Sequence, residues 1–298
     1  MRIKHDSMKT NSKKFVSLIR PDQYIKNIFI FLPLFFGLKI TDSYLFLNAT
    51  CAFIAFSLTA SAVYILNDLH DVEQDQLHPT KKSRPIASGA ITQSQAIALM
   101  VGLLFLGLSL SYILPLPITK IVLAYVAMNI VYTFYLKKTP IIDVTVVAVG
   151  FVIRLFVGFY ATGVSLSEWI IVMTFLLALF VALAKRRDDV KIFVDTGNKT
   201  RKVVDSYSLE FLDATTATMA SVVIVSYIGY TTSAPIVERY HSEYLYLTAF
   251  FVILGIMRYL QFVFVLNDAG SPTKIVLTDR FMQLIILGWG LSFLFILY

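Results

Sequence analysis

Residues 45–75 read LFLNATCAFIAFSLTASAVYILNDLHDVEQD. From Leu45 to Leu66 there is no Asp, Glu, Lys or Arg. At about 1.5 Å rise per residue, a helix over that stretch crosses the roughly 30 Å hydrocarbon core of a bilayer. Charge then arrives abruptly, with Asp68, Asp71, Glu73 and Asp75 inside eight positions. Like charges gathered at the mouth of an apolar helix repel one another, so the residues around them must supply a reason for their being there.

The pattern of that first helix recurs along the chain. Of 298 residues, 57% are hydrophobic and only 15% charged, and the mean hydropathy is +0.72. A soluble domain carries about 25% charged residues. Hydropathy predicts an all-α polytopic membrane protein with nine transmembrane helices, over 23–39, 45–66, 94–113, 118–136, 141–160, 168–184, 214–232, 244–265 and 281–298. Pro33 interrupts the first. The stretch before it is polar and basic and lacks the apolar centre of a cleavable signal. The single cysteine, Cys51, lies in the second span, which excludes a disulfide and a cysteine-rich metal site.

Lys and Arg give the orientation. With the N-terminus in the cytoplasm, the N-terminal segment counted through Lys26 and the loops after helices 2, 4, 6 and 8 hold 21 of the 26 basic residues. The opposite face holds Lys39, Lys120 and Arg239, while Arg154 and Arg258 fall within spans. Such asymmetry on short loops is the positive-inside pattern. It predicts a multi-pass protein of the cytoplasmic membrane whose polar face looks into the cytoplasm. The net charge of +7 then needs no nucleic-acid partner, since topology and attraction to anionic lipid account for it. The expected organisation is a basic cytoplasmic tail over 1–22 and one transmembrane domain over 23–298, elaborated by long cytoplasmic loops at 67–93 and 185–213. Thr196-Gly197-Asn198 is a turn signal within the second loop and marks a candidate lid.

Asn67, Asp71 and Asp75 are spaced i, i+4, i+8, and Asp68, Asp71 and Asp75 are spaced i, i+3, i+7. Either set lies on one helical face. A cation relieves their repulsion, and oxygen-only donors from carboxylates and a carboxamide suit Mg²⁺, which completes its shell with water and substrate phosphates. The blander alternative is a solvated acidic helix end. Lys81, Lys82 and Arg84 follow closely, so a metal-bound polyanion would meet cations on its other side; a guanidinium forks onto phosphate oxygens where an ammonium offers a point charge. His70 and His78 lack partners at metal-ligand spacing and read as loop residues. The second loop opens with Lys185-Arg186-Arg187-Asp188-Asp189, a mixture suited to phosphate and sugar hydroxyls, to a second metal, or to exposed salt bridges. Arg154, deep in its span, faces a cavity or a partner; Arg258 has snorkelling as its simpler explanation.

The order Asn67-Asp68, Asp71, Asp75, His78-Pro79, then Arg84-Pro85-Ile86-Ala87-Ser88-Gly89, together with nine spans, resembles the UbiA superfamily of intramembrane prenyltransferases. Arg20-Pro21-Asp22-Gln23-Tyr24-Ile25-Lys26-Asn27, Tyr135-Leu136-Lys137, Ile142-Asp143-Val144, Gly150 to Arg154, Leu183 to Arg187 and Thr278-Asp279-Arg280 resemble more narrowly its decaprenyl-phosphate phosphoribosyltransferase branch. The similarity runs from about residue 20 to the C-terminus.

The resemblance implies nine helices around a central cavity with a cytoplasmic polar cap. It also implies a reversal of substrate roles: phosphoribosyl pyrophosphate carries the leaving diphosphate, and a polyprenyl phosphate attacks. In keeping with that, the second Asp-x-x-x-Asp motif of ordinary members is replaced by Lys185 to Asp189. Asn67, Asp68, Asp71 and Asp75 would hold Mg²⁺, with Asp68, Asp71, Asp75 and Asp189 as the catalytic carboxylates. Lys26, Lys81, Arg84, Lys185 and Arg186 would bind phosphates, and Asn67, Lys137, Asp143 and Arg154 complete the expected substrate contacts. Asp189 stands where the branch usually has Glu, one methylene longer. Two alternatives compete: an aromatic prenyltransferase of the same fold, which lacks its second Asp motif here, and a Mg²⁺-binding transporter, which would want acids deep in its spans. Chain length of the lipid and homo-oligomer formation stay open.

Overall fold

A computed structural model of the chain describes residues 13–77, 80–197, 203–267 and 272–297. Among the described residues there are helices and turns but no strand. Eight helices are long and apolar enough to cross a membrane. They are α1 (Ser43–His70), α2 (Gln93–Ile113), α3 (Leu116–Phe134), α4 (Ile142–Thr162), α5 (Glu168–Thr196), α6 (Leu209–Thr232), α7 (Ala249–Phe264, preceded by a 3-10 turn Tyr244–Thr248) and α8 (Arg280–Leu297). The chain is therefore the all-α polytopic protein that its hydropathy predicts. The remaining expected span, 23–39, takes a different form: a 3-10 helix over Pro21–Phe31 followed by a short α-helix over Leu32–Phe36. Pro33 has no N–H to donate to a preceding carbonyl, so it is accommodated only at the start of a new helix, and Gly37 caps that helix within a turn.

Two boundaries bear on the site. Helix α1 ends at His70; Asp71 is its C-cap, and a short helix over Val72–Leu77 carries Asp75. Helix α5 runs well past the expected boundary at residue 184, so Lys185 to Asp189 lie on a helix rather than in a loop. It stops at Thr196, where Gly197 adopts φ 71°. Asn198 of the candidate lid, like His78, lies outside the described residues.

The chain packs as two compact units. The first holds the chain up to Val146, Ile153–Ser165 and the described part of Thr196–Val203; the second holds Val147–Val152, Leu166–Asp195 and the chain from Val204 onward. In the first, α1 is the central element. It is lined by Ala49, Ala52, Ala55, Thr59 and Ala60, all buried, and α2 lies hard against it. A β-carbon on Gly107 would stand 2.4 Å from Thr59 Oγ1 and 2.9 Å from the Ala55 carbonyl oxygen, so only glycine allows that approach. Small residues let membrane helices meet backbone to backbone, where dispersion replaces the hydrophobic drive that lipid removes. Gly158 of α4 does the same for the 3-10 helix, whose Ile30 carbonyl oxygen would lie 2.1 Å from an added β-carbon. In the second unit, Phe180 and Ala184 of α5, Ala220 and Val223 of α6, and Ile256, Tyr259 and Val263 of α7 form one core with Ile275 and Met282.

Candidate active site

In the first unit the carboxylates of residues 68–75 do not share one face. Asp68 and Asp75, each 4% exposed, converge on Arg84, whose Nη1 donates to Asp68 Oδ1 at 3.0 Å and to Asp75 Oδ2 at 2.6 Å. Arg20 Nη2 donates to the same Asp68 oxygen at 2.5 Å. Asp71 turns elsewhere, to the ammonium of Lys137, and the Asn67 side-chain oxygen accepts from Thr133. The cause is the break at Asp71, where φ −100° and ψ 11° leave the α-helical track and restart it at Val72. Asp71 is thereby presented to the end of α3, while Asp68 and Asp75 stay over the 84–91 turn.

That turn is anchored from below. Ile86, Ala87 and Ile91 are buried, and Ile86 and Ile91 share a core with Leu18, Ala62, Ile65 and Ala96. Ser88 and Ile91 N–H close on the carbonyls of Arg84 and Pro85 at 2.9 and 3.0 Å, and Gly89 takes φ 72°. Gln76 Nε2 ties the short helix to the Ala87 carbonyl at 3.1 Å. The guanidinium of Arg84 is thus fixed over the acids by an apolar plug. Lys82 points to solvent and Lys81 is half-buried on the 3-10 turn Lys81–Ser83.

Arg20 sits in the left-handed region, φ 56° and ψ 59°, a conformation that costs a non-glycine residue about 1–2 kcal/mol. Its ion pair with Asp68 and its place over the Tyr64 ring, 5.5 Å from the centroid, offset that cost. The following 3-10 helix is bolted to α1 by Tyr24 OH on Ser61 Oγ (2.9 Å) and Asn27 Nδ2 on Ser57 Oγ (2.8 Å). Arg154 Nε donates to Asn27 Oδ1 at 2.8 Å, and its guanidinium lies over Phe56 and Tyr125, 4.9 and 5.5 Å from their centroids. Lys26, on the same 3-10 helix, makes no hydrogen bond or ion pair with a described residue; the charges that act on it are chiefly those of Arg154 and Arg20, with Asp22 opposing them. A half-buried ammonium near guanidinium groups makes the local potential positive. Asp143, fully buried, begins α4 after a strained turn in which Ile141 has φ 68° and Ile142 N–H reaches the Pro140 carbonyl at 2.8 Å.

In the second unit the charges lie on and around α5. Arg186 Nη1 donates to Asp189 Oδ2 at 2.7 Å, and both are buried. Arg187 is a fastener: Nε on Asp213 of α6 at 2.5 Å, Nη1 on the Val263 carbonyl of α7 at 2.9 Å, and its guanidinium 5.1 Å from the Phe264 centroid. Arg258 does not snorkel alone. It forks onto Asp279, 3.1 and 2.6 Å, and Asp279 in turn caps α8 by accepting from Met282 N–H at 2.8 Å. That fork holds the Asp279 carboxyl below the usual carboxylate range, with the Met282 N–H adding to it.

Sequence reading missed Arg20, Tyr24, Ser57 and Ser61 as parts of this assembly. Ser57 and Ser61, four apart on an otherwise apolar helix, were the available signal. No group of three or more His, Cys, Asp or Glu is disposed to hold a metal among the described residues, and Asp68 Oδ1, Asp75 Oδ2 and Asp71 Oδ1 each accept from a guanidinium or ammonium.

The UbiA prenyltransferase family model matches residues 29–285. The decaprenyl-phosphate phosphoribosyltransferase of Corynebacterium glutamicum is 31% identical over 280 residues, covering 92% of this chain and 83% of that protein. The enzyme of the same name from Mycolicibacterium smegmatis is 30% identical over 284 residues, 92% and 89% of the two chains. Among solved structures, a UbiA homolog from Archaeoglobus fulgidus bound to DMAPP and Mg²⁺ superposes with a TM-score of 0.69 over 94% of this chain and 98% of that one; at 17% identity the likeness speaks for the fold.

Proposed function

Since the chain belongs to the UbiA prenyltransferase family, we propose that it transfers 5-phosphoribose from phosphoribosyl pyrophosphate to a polyprenyl phosphate, giving polyprenyl-phosphoryl-ribose 5-phosphate and pyrophosphate. The observation that carries this reading is the similarity to the decaprenyl-phosphate phosphoribosyltransferases along nearly the whole chain, joined by the basic Lys185 to Arg187 where ordinary family members have a second acidic motif. The distribution of Lys and Arg supports a place in the cytoplasmic membrane with the polar face in the cytoplasm.

Asn67, Asp68, Asp71 and Asp75 supply oxygen donors only, the chemistry that fits Mg²⁺. When bound there, the metal offsets the negative charge that builds on a departing diphosphate. Each of the three carboxylates meanwhile holds a cation, Arg20, Arg84 or Lys137. These cations are positioned to exchange a carboxylate for a phosphate oxygen without leaving the site, and Arg84 does so with a fork geometry. Lys26 and Lys81 add phosphate contacts, and Lys185 and Arg186 take the 5-phosphate. Asn67, Lys137, Asp143 and Arg154 shape the substrate environment, with Arg154 held rigid by Asn27. In the reaction the bond from ribose C1 to the diphosphate oxygen breaks and one from C1 to the lipid phosphate oxygen forms. The acceptor is already an anion, so no residue has to remove a proton from it.

The test is to incubate the purified chain with Mg²⁺ and either phosphoribosyl pyrophosphate plus a panel of polyprenyl phosphates, or a prenyl diphosphate plus aromatic acceptors. A lipid product heavier by one phosphoribosyl group is expected in the first arm. Product in the second arm alone identifies an aromatic prenyltransferase instead.

A further inference from the structure

Tyr259 lies on α7 in the core of the second unit, 6% exposed, its ring edge-on to Phe180 of α5 with centroids 5.4 Å apart. Its hydroxyl is buried and makes no hydrogen bond with any described residue. A phenol placed this deep normally finds a partner, and one left without it is unfavourable unless something else binds there. On α5 the residues Phe180, Ala184 and Asp188 are spaced by four and share a face. Phe180 and Ala184 belong to the same core as the Tyr259 ring, and the Asp188 carboxylate is near enough to act electrostatically on the Tyr259 hydroxyl.

The two groups select a ligand by exclusion. A phosphate oxygen would suit the Tyr259 donor but is repelled by Asp188. A metal ion or ammonium would suit Asp188 and could be accepted by the Tyr259 oxygen, but the donor proposed above carries no cationic group to place there. A group that accepts one hydrogen bond and donates another satisfies both, and a hydroxyl is such a group. Asp188 also adjoins Arg187 and Asp189, in the stretch to which phosphate contacts are assigned above. We propose that Tyr259 and Asp188 bind a secondary hydroxyl of the donor's ribose, Tyr259 donating to its oxygen and Asp188 accepting its proton. This rests on phosphoribosyl pyrophosphate being the donor. It gives the sugar a recognition element separate from Asp189, whose carboxylate is engaged by Arg186.

The experiment uses the full chain in detergent or nanodiscs and compares wild type with Tyr259→Phe, which removes one oxygen and leaves the ring. Donors are phosphoribosyl pyrophosphate and its 2-deoxy and 3-deoxy analogues. The expected result is a donor KM raised about tenfold in Tyr259→Phe, a comparable loss for wild type with one of the deoxy donors, and no additional loss when variant and that donor are combined. The melting temperature of the ligand-free variant should stay level or rise, because a buried group without a partner has been removed. A variant that melts lower while keeping wild-type donor kinetics would show that the hydroxyl holds a structural water, and a variant that discriminates against both deoxy donors as wild type does would show that the sugar is bound elsewhere; either result overturns the proposal. A wild type that leaves phosphoribosyl pyrophosphate untouched removes the parent reading and this one with it, whereas an active wild type with an indifferent variant removes this one alone.

Discussion

The acidic stretch of the first unit and the basic stretch of the second handle charge in opposite ways. Asp68, Asp71 and Asp75 are neutralised from far along the chain, by Arg20, Arg84 and Lys137, so their ion pairs tie a left-handed turn, a plugged loop and the end of α3 to α1. Arg186 and Asp189 pair three residues apart on one uninterrupted helix, and Arg187 spends its donors on α6 and α7. Charge on the turns around α1, and Arg186 whose carboxylate partner lies on its own helix, can trade one anion for another. Arg187, bonded to α6 and α7, is fixed charge that fastens neighbouring helices. That division sorts the basic residues into those that should respond to substrate and those that should respond only to unfolding.

The largest effect is expected at the exchangeable end. Asp71→Asn keeps shape and hydrogen bonding but removes a charge from a residue whose side chain is 25% exposed, so the fold should survive. Turnover should fall by about a hundredfold or more, the scale of losing one electrostatic contribution to the leaving group. A folded variant with near-normal turnover and unchanged Mg²⁺ dependence would take Asp71 out of the site.

Next comes donor binding. Removing Arg186 alone would strand Asp189, which is buried, so the informative protein is Lys185→Gln with Arg186→Gln and Asp189→Asn. Each charge-assisted contact to the 5-phosphate should be worth about 1.5–3 kcal/mol. The donor KM should rise accordingly, with the lipid KM changed far less. An equal rise in both constants would break the assignment of the 5-phosphate to this stretch.

Arg187→Met sharpens the contrast from the other side. The loss of its hydrogen bonds to Asp213 and the Val263 carbonyl should lower stability by about 1–3 kcal/mol, read as a lower melting temperature, while both Michaelis constants hold. A change in donor KM would make Arg187 a ligand rather than a fastener.

The smallest effect concerns Asp279. Its carboxyl titrates below the ordinary range because Arg258 donates to it, so the stability it lends is complete above the unfolded value of about 3.9 and is lost as pH falls through the lowered folded value. Asp279→Asn retains the helix cap and removes the charge. The gap in melting temperature between wild type and variant should be constant at neutral pH and close only below about pH 4. A gap that closes near neutrality would assign the linkage to another group.

The lengths of apolar runs made the fold legible. Eight of the expected spans appear as membrane-length helices because about twenty uncharged residues leave a chain in lipid little choice but to satisfy its own backbone. The first span was less legible. Its apolar count is that of a helix, but Pro33 divides it and Asn27 must face Ser57, so local geometry overrides hydropathy. The end of α5 was misplaced because charge marks where a helix leaves the membrane and not where it stops; Arg186 and Asp189 satisfy each other within the helix and let it continue. The carboxylate cluster was visible in the sequence, but its partners were not. Arg20 reaches Asp68 only through a left-handed turn, and no spacing rule joins residues so far apart. Fasteners and ligands are likewise indistinguishable in the string Lys185-Arg186-Arg187, since the difference lies in what α6 and α7 present to each side chain.

The measurement that bears most directly on the whole account is release of pyrophosphate from phosphoribosyl pyrophosphate by the purified wild-type chain, followed with and without polyprenyl phosphate in the presence of Mg²⁺, with the Asp71→Asn protein alongside. The account predicts release only when the lipid is present, one phosphoribosyl lipid formed for each pyrophosphate, and at most about one hundredth of that rate from the variant. Phosphoribosyl pyrophosphate that stays intact with every polyprenyl phosphate, or release that proceeds equally well from the variant, would contradict it.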